Sequence, residues 1–124
     1  MVLKRKESPL RVKSEAYSVR ITNLYHYLLD TRKEKVVATQ IYRSGTSIGA
    51  NVKEAIRGQS RPDFGAKMNI ALKEASESEY WIELLGEAKI LTDQQAESML
   101  ADCRELIRIL TSIVKSTFTD RSEG

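Results

Sequence analysis

Four stretches of this sequence repeat apolar residues at intervals of three and four, and only a few polar residues separate each stretch from the next. That spacing lines side chains along one face of an α-helix and fits no strand. Tyr17, Ile21, Leu24 and Leu28 define the first face, behind a Ser8-Pro9 start that suits a first helical turn, and the helix should span 9–30. Val12, Ala16 and Val19 are expected to widen its inward side. From Glu34 the pattern resumes through Val37, Ile41, Gly45, Ile48, Val52 and Ala55, ending near Gly58, a position suited to a left-handed cap. Ser60 is a candidate N-cap for the third helix, with Pro62 and Asp63 in its first turn. Phe64, Met68, Ala71, Ala75, Ser78, Ile82 and Leu85 carry that helix to about Lys89. Thr92 and Gln95 form a capping box, after which Ala96, Met99, Cys103, Leu106, Leu110, Ile113 and Thr117 mark the fourth.

Links this short force neighbouring helices to run antiparallel. The expected fold is therefore all-α, an up-down-up-down four-helix bundle over residues 9–118, with a flexible basic tail at 1–8 and a flexible tail at 119–124. Two prolines, six glycines and 41% apolar residues agree with a packed helical domain and not with a disordered chain. No apolar run is long enough to span a membrane, and no apolar core follows the basic start as a secretion signal requires. A single cysteine, Cys103, permits no internal disulfide. The chain reads as cytoplasmic.

Catalytic constellations are hard to assemble from these residues. A di-metal bundle needs Glu-x-x-His pairs on facing helices, yet His26 is the lone histidine and no acid stands three residues before it. Nucleophile–histidine systems would depend on the same residue. Gly45 and Gly49 lie within a helical pattern, not in a phosphate-cradling loop. No catalytic residue, metal ligand or cofactor site is expected. The run Glu74, Glu77, Glu79 and Glu83, with Lys73 adjacent, reads as a solvated helix face with local ion pairs or as an acidic contact surface.

Charge is distributed unevenly. Residues 1–43 hold ten Lys/Arg against four Asp/Glu, a net +6, whereas the remainder carries −3. Lys4, Arg5, Lys6, Arg11, Lys13, Arg20, Lys33 and Lys35 are the candidate contacts for a polyanion. Ser44-Gly45-Thr46-Ser47 with Asn51 is a small-residue segment inside a helix, where each glycine costs about 1 kcal/mol against alanine. A close helix crossing would offset that cost, with Asn51 and Glu54 as candidates for polar contacts to the third helix, such as Lys73. On that helix a second apolar line, Ile70, Trp81, Leu84 and Ala88, lies beside the first. With Tyr80 it reads either as extra core or as a protein contact centred on Tyr80 and Trp81.

The run Arg43-Ser44-Gly45-Thr46-Ser47-Ile48-Gly49-Ala50-Asn51-Val52-Lys53-Glu54-Ala55 resembles a signature of the bundle proteins encoded by intervening sequences in bacterial 23S ribosomal RNA genes. Ser60, Asp63-Phe64, Lys67, Ala71 to Ala75, Glu79-Tyr80-Trp81 and the stretch Cys103 to Ile113 continue the resemblance, which covers about residues 12–117. It implies a homo-oligomer, with a barrel-like pentamer favoured, and no catalytic residues. A similar branch, the accessory proteins of diversity-generating retroelements, binds nucleic acid through a more strongly basic surface. Two functions follow as expectations: a homo-oligomeric scaffold that binds structured RNA or DNA, or an adaptor that binds a protein partner.

Overall fold

The computed structural model describes residues 8–58 and 60–123, with side chains to Phe118. It has four helices, α1 (Pro9–Asp30), α2 (Val36–Ile56), α3 (Arg61–Glu87) and α4 (Asp93–Glu123), and no strand among the described residues. Each helix packs on the next and α1 also meets α4, which closes the four into an antiparallel bundle. The expected tail at 1–8 lies outside the described residues except for Ser8. At the other end the backbone of α4 stays helical to Glu123, beyond the expected limit of 118, because no proline or glycine interrupts it before Gly124.

The helix ends follow local chemistry. Ser60 Oγ accepts from the Asp63 amide at 3.1 Å, and Thr92 and Gln95 exchange reciprocal bonds of 3.1 and 2.9 Å. Glu34, expected inside α2, instead precedes it and caps it, its carboxylate accepting from the Val37 amide at 2.9 Å. Gly58 does not supply a left-handed cap. The two positive φ angles among the described residues belong to Lys33 (56°) and Lys89 (63°), which turn the chain after α1 and α3. A Cβ at Gly58 would displace the exposed Asp63 carboxylate, which can rotate away.

Ile21, Leu28, Ile41, Ile48, Met68, Ile82, Leu85, Leu106 and Leu110 fill the centre, all essentially inaccessible to solvent. One polar cluster sits among them. Tyr17 Oη and Ser78 Oγ share a hydrogen bond of 2.7 Å across the α1/α3 diagonal, and Cys103 Sγ donates to the Ala75 carbonyl at 3.3 Å. No buried side-chain nitrogen or oxygen among the described residues lacks a partner.

The expectation for Val12, Ala16 and Val19 fails. All three are exposed, Val12 by 53% and Val19 by 58%. Val12 and Val19 are seven residues apart and so share one line, but that line lies on the opposite side of α1 from the Tyr17–Leu28 face. The second apolar line of α3 is likewise at the surface, with Ile70, Leu84 and Ala88 exposed and Trp81 half-buried against the core.

Candidate nucleic-acid interface and self-association surface

The cations singled out in the sequence do not form one surface. Lys4, Arg5 and Lys6 lie outside the described residues. Lys13 and Arg20 face α4, where Lys13 pairs with Glu105 at 3.1 Å and Arg20 with Asp102 at 2.6 Å. Arg20 also donates to Ser98 Oγ at 3.0 Å, so both side chains serve as cross-links between α1 and α4. Arg11 lies on the other side of α1 against α2, beside Glu15 at 3.5 Å. Lys33 and Lys35 stand in the α1/α2 connection, exposed.

Two further cations complete the α1/α2 side. Lys53 and Arg57, at the end of α2, are exposed, and neither they nor Lys33 or Lys35 make an ion pair among the described residues. Sequence reading passed over them because the residues after 43 are acidic on balance; of those acids, Glu54 and Asp63 share a cleft with Lys53 and Arg57, and Glu54 is taken up by Lys67. A cleft of about 210 Å³ between Arg11 and Lys53 has a floor of Ser14, Ser18, Gly49 and Ala50, and Glu15 is the one carboxylate lining it. Further along the same seam Tyr25 and Tyr42 stack at 4.5 Å and 20°, with His26 edge-on to Tyr25.

Four acids of α3 are held by arginines of the neighbouring helices. Arg43 of α2 reaches over to Glu74 and Glu77 of α3, and Arg104 of α4 holds Glu79 at 2.8 Å and Glu83 at 3.0 Å. The Glu74–Glu83 run is thus bound between helices, with Lys73 left exposed. The Trp81 indole N–H donates to Glu77 at 3.0 Å, and this bond together with Arg43 holds the Glu77 carboxyl below its ordinary range. Being largely solvated, such clamps fix side-chain geometry more than they stabilise the fold.

The small-residue segment is a helix crossing. A Cβ on Gly45 would meet Ile21 Cγ1 at 2.6 Å, and one on Gly49 would meet Ser18 Oγ at 3.0 Å, so α1 and α2 approach closely along this line. Ser44, Thr46 and Ser47 turn their hydroxyls back to carbonyls of their own helix, and Asn51 donates to the Ser47 carbonyl at 2.8 Å. The expected contacts of Asn51 and Glu54 to Lys73 do not form. Glu54 pairs with Lys67 at 2.9 Å, because in antiparallel packing the end of α2 lies level with the start of α3; Lys73 is six residues, roughly 9 Å, further along.

This bundle, with its glycine crossing, coincides with a family model described as 23S rRNA-intervening sequence protein, matched over residues 7–112. The chain belongs to that family. A crystal structure of a protein of unknown function from the S23 ribosomal protein family of Bacteroides thetaiotaomicron is similar, with 52% identity, 86% of this chain and 98% of that chain covered, and a TM-score of 0.84. No curated protein matches the sequence. No helix here is long and apolar enough to cross a membrane, and no group of three or more metal-binding side chains occurs among the described residues.

Proposed function

We propose that this family member is a non-catalytic cytoplasmic subunit that associates with copies of itself and binds nucleic acid through phosphate contacts on the α1/α2 side. The observation that carries the binding half is a set of exposed cations that make no ion pair among the described residues, Lys33, Lys35, Lys53 and Arg57, with Arg11 across the seam from Lys53. Glu15, Glu54 and Asp63 are the carboxylates lining the clefts there, while four acids of α3 are clamped by arginines elsewhere. Phosphate contacts of this kind give affinity with little sequence preference and a steep dependence on salt. RNA-binding titrations across salt concentrations test it. Lys53→Glu with Arg57→Glu is expected to weaken binding at low salt at least tenfold and to flatten the salt dependence by about two phosphate contacts, whereas Lys13→Ala has little effect. Undiminished binding by the double variant defeats this assignment of the surface.

Self-association is supported by two exposed apolar lines on diagonally opposed helices, Val12 and Val19 on α1, and Ile70, Tyr80 and Leu84 on α3. Unlike surfaces that meet head to tail generate rings when the rotation closes. A pentamer, which the family resemblance implies, would be one such closure. Trp81 packs edge-to-face with Tyr80 at 5.0 Å and would support that residue from beneath. Light scattering is expected to give an oligomer for the native chain and a folded monomer for Leu84→Asp with Tyr80→Asp. A monomeric native chain at every concentration would remove this half of the proposal. A protein partner on the α3 line is the competing reading; there the native chain would be monomeric alone and its partner would resist nuclease.

A further inference from the structure

Building on the nucleic-acid reading above, we infer that the segment bound along the α1/α2 seam is single-stranded, with an unpaired base stacked on Tyr42. Tyr42 is 38% exposed although it belongs to the helix that crosses α1 closely at Gly45 and Gly49. Its position is fixed from behind by Tyr25 at 4.5 Å in a near-parallel stack, which His26 flanks in turn. An aromatic ring that is exposed yet immobilised is a platform for another planar group, and an unpaired base provides one. A duplex keeps its internal bases stacked on one another and offers a free face only at its ends.

The flanking cations lie on the same line. At about 1.5 Å per residue, Lys35 is roughly 10 Å from Tyr42 along α2, Lys53 roughly 16 Å in the other direction, and Arg57 one turn further. Arg11 faces Lys53 across the seam, lining the same cleft. Between these charges the surface is shallow, since Ser14, Ser18, Gly49 and Ala50 project little, and a single sugar-phosphate backbone can follow it from one cation group to the next. Charges in a row with an aromatic platform among them are the two parts of sequence-tolerant single-strand binding. Neither part is fully used by the bundle: Lys35, Lys53 and Arg57 make no ion pair among the described residues, and Tyr42 keeps 38% of its surface exposed.

Fluorescence anisotropy at low salt, with a labelled single strand of about 12 nucleotides and a blunt duplex of the same length, tests the inference. The single strand is expected to bind the native protein at least tenfold more tightly than the duplex. Tyr42→Ala is expected to weaken single-strand binding about tenfold with an unchanged salt slope, while Tyr42→Phe binds as the native protein does. Equal affinity for the two probes, or a Tyr42→Ala variant that binds the single strand normally while folded by circular dichroism, overturns the single-strand inference and leaves phosphate binding standing. Binding of neither probe overturns both.

Discussion

Replacing Gly45 with valine is expected to lower the stability of the bundle by about 3 kcal/mol, a fall in melting temperature on the order of 12 °C. Three atoms of Ile21 lie within 3.0 Å of where a Cβ would stand, and Ile21 is fully buried, so neither side chain can withdraw into solvent. The gain in helix propensity over glycine, under about 1 kcal/mol for a β-branched residue, is too small to offset this overlap. Ile21→Ala by itself leaves a cavity that costs about 2–5 kcal/mol. Combined, the new valine fills space vacated by the isoleucine, and the double variant should recover roughly 1–3 kcal/mol relative to the sum of the single effects. Gly49→Ala is the control: its nearest neighbour is the Ser18 hydroxyl at 3.0 Å, so the helix-propensity gain approximately cancels the crowding. Urea denaturation of the four variants decides the matter, and strict additivity between positions 21 and 45 would show that the two do not share one contact.

The second large effect is alkaline destabilisation. Burial is the main cause that raises the Cys103 thiol from 9.0 to about 11, and burial followed by the neighbouring Cys103 pushes the Tyr17 phenol well above its ordinary value. Both groups are neutral when protonated, so the folded state favours the proton more than the unfolded chain does. Below pH 9 the thiol contributes fully. As pH rises from 9 to 11 the unfolded chain loses that proton first, and about 3 kcal/mol of stability goes with it. Tyr17 adds to the loss from about pH 10 upward. Denaturation midpoints between pH 8 and pH 11 are expected to fall more steeply for the native chain than for Cys103→Ala, the difference reporting the thiol together with its coupling to Tyr17. Parallel curves would place the alkaline loss elsewhere, at Tyr17 or among the surface lysines.

These two effects arise in parts of the molecule that were legible to different degrees. Gly45 was identifiable from sequence because a glycine on an inward helical line needs a close neighbour to justify it. That the neighbour is Ile21 of α1, and that Tyr17, Ser78 and Cys103 converge, depends on how three helices rotate about their axes. The misplacement of Val12 and Val19 has the same origin: apolar character suggested the core, but the register of Tyr17, Ile21, Leu24 and Leu28 had already assigned the opposite side of α1. Among the proposed cations, net charge over residues 1–43 combined side chains that packing separates: Lys13 and Arg20 lie beside α4 acids, whereas Arg11 shares a cleft with Lys53.

The sequence by itself determined four helices, the Ser60 cap, the Thr92/Gln95 capping box and the breaks between them, and the antiparallel order that short links impose. Those features depend on interactions between residues a few positions apart, which periodicity records directly. The tertiary structure alone decided which charges remain unpaired, which apolar residues stay uncovered, and where Tyr42 and its flanking cations share one seam. Each of those depends on residues distant in the chain being brought within a few ångströms, and a linear pattern carries no distance of that kind.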